Sequence, residues 1–404
     1  MRCGLLGQHL GHSYSPQIHG MLADYEYSLF EKEPDELEDF LKNGAFDGLN
    51  VTIPYKQAVI PYLNDLTPIA RELGAVNTII RNNGMLIGHN TDLFGFHALL
   101  QHSGLSPAGK KCLVLGSGGA SKVVQSVLRM YQANVIVISR TGENNYENMA
   151  NHRDASILIN TTPLGMYPDT GVSPVDLAQF PALEGVLDLV YNPARTQLLL
   201  EAEERGLIAE NGLYMLVTQA KSAAEFFTDT SICQKKVQEI HKTLKNQAEN
   251  IILIGMPGCG KTTVGQLLAE KTGRTFADSD ALIENLAQKT IPRIFAEDGE
   301  ETFRKWETMA LSQLGKQSGL VLATGGGCVT REKNYPLLHQ NGRIIYLRRA
   351  LEQLPTDGRP LSQEISLQDL FERRRNLYSR FADYIIDNNS TPCHAVDAIM
   401  EVIA

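Results

Sequence analysis

The run GMPGCGKT at residues 255–262 is a glycine-rich turn closed by a lysine and a threonine, the spacing that cradles nucleotide phosphates. Glycines at Gly255, Gly258 and Gly260 let backbone N–H groups, that of Cys259 among them, converge on phosphate oxygens. Lys261 would reach the β and γ phosphates, Thr262 a magnesium ion, and Thr263 the phosphates from the first helical turn. An apolar strand-like run before the motif and a helical pattern after it supply the context in which it is specific. Downstream, FADSD (276–280) spaces Asp278 and Asp280 so that on a strand end both face one side. GEETFRKWE (299–307) puts Arg304 and Glu307 one helical turn apart, and the glycines Gly325, Gly326 and Gly327 permit close backbone approach to a ligand. A phosphate donor site followed by a carboxylate base and a guanidinium suits transfer to a hydroxyl on a small anion.

A second set of residues precedes the first. VLGSGGA (114–120) runs from a strand through Gly116, Gly118 and Gly119 to Ala120 at the head of a helix. The strand NVIVIS then ends at Arg140 and Thr141, where a dinucleotide-binding fold reads the ribose. An acidic residue there favours NAD, so a basic one points to the 2′-phosphate of NADP. Further upstream, Lys56 and Asp92 are a candidate proton-handling pair, although taken singly each is more often a surface charge.

These sites need sheets to hold them. At 404 residues the chain is long for one core, and 43% apolar with 21% charged residues is an ordinary folded balance without repeats. Three short apolar runs, 111–115, 134–139 and 251–254, each end at a turn and read as buried parallel strands. The predicted fold class is α/β. A two-lobed front part has a substrate lobe over about 1–97, joined by returning helices over 213–243, and a Rossmann-like nucleotide lobe over about 98–212. A P-loop domain with a parallel sheet follows over 246–404, with the polar stretch 235–250 carrying the boundary near 246–249. A net charge of −9 argues against nucleic-acid partners. Six dispersed cysteines read as reduced thiols, and no segment reaches the roughly 18 apolar residues of a membrane span, so the cytoplasm is expected.

The rear motifs, with RPL at 359–361, resemble shikimate kinase over essentially all of residues 250–404. The resemblance implies that Asp280 takes the proton of the substrate 3-hydroxyl and that Asp278 and Thr262 hold Mg²⁺, partly through water. It implies that Arg304 and Arg374 clamp the shikimate carboxylate, that Gly325, Gly326 and Gly327 line the pocket, and that Arg359 descends from a lid onto the transferring phosphoryl group. The segment before Arg359 is shorter than the family's lid; Arg348 and Arg349 could stack on adenine or be salt-bridged surface residues.

The front part, through GHSYSPQIH (11–19), NVTIPYK (50–56), AVNT (75–78), GHNTDLFG (88–95), NTTPLGM (160–166), DLVYNP (188–193) and GLYMLVTQA (212–220), resembles shikimate dehydrogenase over about 1–245. By that resemblance Ser13 and Ser15 bind the substrate carboxylate, although serines before Pro16 also suit a helix cap. Thr52, Asn77 and Gln219 hold its hydroxyls, Tyr191 and Asp92 also contact it, and Gly212 joins the NADP(H) site. Lys56 and Asp92 are the catalytic pair. Ser139 stands where the family often has Asn, and no second arginine follows Thr141. Together the resemblances imply NADPH-dependent formation of shikimate and its phosphorylation by ATP with Mg²⁺, with small-molecule partners only. The front part remains open to two other readings, a quinate or broad polyol-acid dehydrogenase and a silent module regulating the kinase. A gluconate-type kinase is the alternative for the rear, disfavoured by the paired aspartates with Arg304.

Overall fold

The computed structural model describes residues 1–403 except His12 and 355–365. Arg359 therefore lies outside the described residues. The chain forms two compact units: 1–163 with 174–191 and 201–243, and 244–404 with the short segments 164–173 and 192–200.

The first unit holds two sheets. The strands β1 (Arg2–Gly7), β2 (Glu26–Glu31), β3 (Gly48–Val51), β4 (Asp65–Leu66), β5 (Thr78–Asn82) and β6 (Met85–His89) form one in the order β2-β1-β3-β5-β6-β4. It is mixed: β3–β5 and β5–β6 are antiparallel, while β1–β2, β1–β3 and β4–β6 are parallel. The other sheet comprises β7 (Lys111–Leu115), β8 (Asn134–Ile138), β9 (Ile157–Asn160), β10 (Gly185–Asp188) and β11 (Ile208–Asn211), all parallel in the order β11-β10-β9-β7-β8. Its central strands are buried on both faces, which is why they read as unbroken apolar runs. The order reverses beside β7, and ligands bind outside the carboxyl ends of strands at such a reversal.

The second unit holds β12 (Asn250–Ile254), β13 (Thr275–Asp278), β14 (Leu320–Ala323), β15 (Gly342–Arg348) and β16 (Tyr384–Asp387), parallel in the order β13-β14-β12-β15-β16. The central strand β12 is entirely buried and delivers the phosphate loop at its carboxyl end.

The polar stretch expected to carry the boundary is a helix, Gln234–Ala248, with Val237, Ile240 and Leu244 buried on one face. Only Glu249 separates it from β12. Its charges cover the exposed faces of an amphipathic helix and mark no loop.

Candidate active sites

Lys56 and Asp92 meet. Lys56 lies in the short helix Tyr55–Ala58, and its Nζ donates to Asp92 Oδ2 at 2.6 Å. Asp92 opens the helix Asp92–Ser103, whose N-terminus favours its negative charge. Its other oxygen accepts from Asn77 Nδ2 at 2.8 Å. Asn77 is fixed in turn: Thr91 N–H donates to its Oδ1 at 2.7 Å, and Asn77 Nδ2 donates to Thr91 Oγ1 at 3.0 Å. Gln219 arrives from the helix Leu213–Thr228, with its Oε1 3.4 Å from Thr91 Oγ1. That approach needs Gly95, because a Cβ there would lie 2.8 Å from the Met215 carbonyl on the same helix.

The serine end is linked to this cluster through buried polar groups. The Ser15 side chain is close enough to Tyr27 to oppose the upward push of burial on its hydroxyl, and that hydroxyl donates to Asn50 Oδ1 at 2.8 Å. Asn50 Nδ2 continues to Thr78 Oγ1 at 3.3 Å, and Thr78 Oγ1 to Asn77 Oδ1 at 3.1 Å. Ser13 accepts from the Ser15 N–H at 3.2 Å at the head of the helix Ser15–Leu22, so one of the two serines does act at the helix start. Thr52 follows β3 with its N–H on the Leu6 carbonyl, and Tyr191 has its ring 6.0 Å from Tyr14, next to both serines. Burial pushes the Tyr191 hydroxyl above its ordinary range, so it stays a protonated donor.

The nucleotide elements take their expected places. Gly116 has φ +102°, and a Cβ there would meet Thr161 Oγ1 at 2.9 Å; Gly118 and Gly119 have open space at the head of the helix Gly119–Met130. Ala120 follows in its first turn. Arg140 and Thr141 are exposed just past β8, and Gly212 starts the Leu213–Thr228 helix against the Leu189 carbonyl. A glycine turn at a helix N-terminus with an exposed guanidinium after the second strand fits a dinucleotide bearing a 2′-phosphate.

In the second unit a cavity of about 550 Å³ is lined by Gly258, Gly260, Lys261, Thr262, Thr263, Asp278, Asp280, Arg304, Gly325, Gly326, Gly327 and Arg374, together with Glu307 and Arg349. Gly255 and Gly260 have φ of +146° and +96°, which a side chain resists. The Cys259 carbonyl accepts from the buried Asn388 amide at 2.8 Å. Lys261 Nζ donates to the Gly255 and Met256 carbonyls at 3.0 Å each.

Asp278 and Asp280 do not share a strand face. Asp278 ends β13 and caps the helix Ser279–Ala287, accepting the Asp280 N–H at 2.9 Å, so Asp280 enters the cavity from the first helical turn. The alternation argument fails because the strand stops between the two. Asp278 Oδ2 accepts from Thr262 Oγ1 at 3.2 Å, two hard oxygens suited to Mg²⁺. Burial, reinforced by the neighbouring Asp278 charge, raises the Asp280 carboxyl above the usual carboxylate range.

Gly299 breaks the helix Ile291–Gly315 with φ +79° and re-aims the turn that carries Arg304. Arg304 is buried and held in a fork by fully buried Glu307, at 3.1 and 2.9 Å, and by Glu300 at 2.9 Å. Buried Arg374 donates to the Gly326 carbonyl at 3.1 Å, and the Tyr378 hydroxyl, one turn later on the helix Leu367–Phe381, donates to the same oxygen. Its neighbours Arg373 and Arg375 are exposed. A Cβ on Gly327 would lie 2.0 Å from Arg304 Nη1. Gly327→Ala is therefore expected to raise KM for the phosphoryl acceptor at least about tenfold while KM for ATP stays within about twofold, because the displaced group is the guanidinium tip; steady-state kinetics with each substrate varied checks this.

Sequence reasoning missed Tyr27, Asn50, Thr78 and Thr91 behind the first site, and Tyr378 and Asn388 as supports of the second, whereas Glu307 pairs with Arg304 as their one-turn spacing allows. Asn50, Thr78 and Thr91 lay inside the quoted motifs; Tyr27, Tyr378 and Asn388 gave no local signal.

The chain matches the family model for the shikimate dehydrogenase substrate binding domain over residues 5–79 and that for shikimate kinase over residues 257–404. A shikimate dehydrogenase (NADP(+)) of Symbiobacterium thermophilum is 39% identical over 259 residues, covering 55% of this chain and 87% of the relative. Among solved structures, a chorismate mutase/shikimate 5-dehydrogenase fusion protein from Clostridium acetobutylicum is 38% identical with a TM-score of 0.58, covering 60% of this chain and 97% of the other. The shikimate 5-dehydrogenase from Thermus thermophilus in complex with NADP(H) and shikimate is 31% identical with a TM-score of 0.55, covering 60% and 99%.

Proposed function

The chain belongs to the shikimate dehydrogenase family and carries a shikimate kinase domain behind it, and from that premise we propose that its two sites perform consecutive steps on one molecule. The front site reduces 3-dehydroshikimate to shikimate with NADPH, and the rear site phosphorylates shikimate to shikimate 3-phosphate with ATP. The observation that carries this reading is the cavity of the second unit, where the phosphate loop, a carboxylate base and two buried guanidiniums converge.

In the front site, bound NADPH supplies hydride to the ketone carbon. Lys56 donates a proton to the oxygen as it becomes an alkoxide, and Asp92 keeps the ammonium charged and aimed. Ser13, Ser15 and the Tyr191 hydroxyl hold the carboxylate, while Thr52, Asn77 and Gln219 hold the ring hydroxyls. Gly116, Gly118, Gly119, Ala120, Thr141 and Gly212 shape the cofactor cleft, and Arg140 meets the 2′-phosphate. Arg140→Ser is expected to raise KM for NADPH about ten- to a hundredfold with KM for NADH within about twofold, as loss of a charge-assisted phosphate contact requires; initial rates with both cofactors test it.

In the rear site, Arg304 and Arg374 clamp the carboxylate of shikimate against Gly325, Gly326 and Gly327. Asp280 accepts the hydroxyl proton during attack on the γ-phosphorus, and Lys261 and Arg359 neutralise the equatorial oxygens. Thr262 and Asp278 would hold Mg²⁺, which would supply further charge neutralisation. We assign 1–245 to the dehydrogenase, with its substrate lobe over about 1–97 and 213–243, and 246–404 to the kinase; the break between compact units at 243/244 supports the boundary, while 164–173 and 192–200 cluster with the second unit. Among the described residues no helix is long and apolar enough to cross a membrane, and with six free cysteines the cytoplasm is the compartment proposed.

Initial rates with 3-dehydroshikimate and 3-dehydroquinate, each with NADPH and NADH, test the front assignment. The highest kcat/KM belongs to 3-dehydroshikimate with NADPH; a clear preference for dehydroquinate with NADH would overturn it.

A further inference from the structure

The end of β15 carries two adjacent arginines that the structure treats differently. Arg348 is exposed and tied to Asp387 on β16 by two bonds, Nε to Oδ1 at 2.6 Å and Nη2 to Oδ2 at 2.9 Å. Arg349 turns into the cavity that holds the phosphate loop. Its Nε is buried and has no hydrogen-bond partner among the described residues. The backbone is pinned on both sides: the Arg348 carbonyl accepts from the Asn388 N–H at 2.7 Å, and the Ala350 N–H donates to Asn389 Oδ1 at 2.7 Å. A guanidinium placed by a rigid strand end, with no carboxylate partner among the described residues, is prepared for an anion that arrives with the ligand.

Which anion follows from what surrounds it. β15 runs beside β12 with Tyr346 opposite Ile254, and a Cβ on Gly255 would lie 2.5 Å from the Leu347 carbonyl. Arg349, two residues beyond Leu347, thus flanks the loop that wraps the phosphates. The acceptor end has its own cations, Arg304 and Arg374, which act on Glu307, while Lys261 belongs to the phosphate loop. We propose that Arg349 binds the phosphate chain of ATP, a second cation beside Lys261 placed just past the end of β15. The proposal rests on the kinase reading of the cavity. Part of the charge that holds the nucleotide then sits at the end of a core strand.

The test is equilibrium binding to the full chain in Mg²⁺ buffer, read as displacement of a fluorescent ATP analogue by ATP and by inorganic tripolyphosphate. Arg349→Ala is expected to weaken both competitors about ten- to a hundredfold, Arg349→Lys to recover part of the loss, and Arg348→Ala to bind as the parent does. In turnover, KM for ATP rises with KM for shikimate within twofold. The unchanged KM for shikimate shows that the second unit of the variant is folded. Unchanged ATP affinity in Arg349→Ala, an equal loss in Arg348→Ala, or weakened ATP with unaltered tripolyphosphate would each overturn the proposal; the last would place the guanidinium on the base. Because binding is read without turnover, a parent chain that binds ATP and never phosphorylates shikimate would refute the activity and leave the Arg349 result to stand by itself.

Discussion

Replacing Asp280 with asparagine is expected to lower kcat for shikimate phosphorylation about 10²- to 10⁴-fold, the usual contribution of a positioned general base, while ATP binding stays within about twofold of the parent. The side chain keeps its size and its place in the first turn of the Ser279–Ala287 helix, so the change removes basicity and little else. A pH profile adds a second check. Burial and the adjacent Asp278 charge raise the Asp280 carboxyl, and only its ionised form accepts a proton. Activity of the parent therefore falls as pH drops through that raised pKa, an acid limb lying above the range of an ordinary aspartate, whereas the residual rate of Asp280→Asn lacks the limb. Near-normal turnover in the variant would remove Asp280 from this role.

Lys56→Met is expected to cost the front reaction about 10³-fold or more in kcat, with phosphorylation of added shikimate unchanged and parent NADPH affinity as the control for folding of the first unit. The ammonium is the donor to Asp92 Oδ2 at 2.6 Å, and methionine fills its volume without the charge. Asp92 remains held by Asn77 at 2.8 Å, so the loss reports the proton donor and not a collapsed site. NADPH titration of the variant by fluorescence should give the parent affinity. A large fall in NADPH affinity with kcat preserved would instead assign Lys56 to cofactor binding.

The α/β class and the phosphate loop were legible because both are local. Central parallel strands such as β7, β9, β10 and β12 must be apolar on both faces, and a loop that wraps phosphate must be glycine-rich wherever it occurs. The pairing of Lys56 with Asp92 was legible only through the ordered series of motifs, since 36 residues separate them and a three-residue chain of Asn77, Thr91 and Gln219 sets their geometry. Less legible were features decided by where an element stops. The two aspartates of 278–280 straddle a strand end and a helix start, and one carboxylate spends itself capping the other's N–H. The helix Gln234–Ala248 runs five residues past 243, where the returning helices were expected to end, because a surface helix with one narrow apolar face has the polar composition of a boundary segment. Tyr378, with no neighbouring motif, reaches the Gly326 carbonyl only once the Leu367–Phe381 helix crosses behind the glycine loop. Arg348 and Arg349 were indistinguishable as a dipeptide; Asp387, 39 residues on, separates their roles.

Two enzymes on one chain should convert 3-dehydroshikimate through to shikimate 3-phosphate without help. The direct measurement supplies the purified chain with 3-dehydroshikimate, NADPH, ATP and Mg²⁺ and follows NADPH oxidation, ADP release and the phosphorylated product together. The expected result is shikimate 3-phosphate, with one ADP formed per NADPH oxidised once shikimate has reached steady state. NADPH oxidation that ends at shikimate with no ADP, or ADP release only when shikimate is added from outside, would contradict the account.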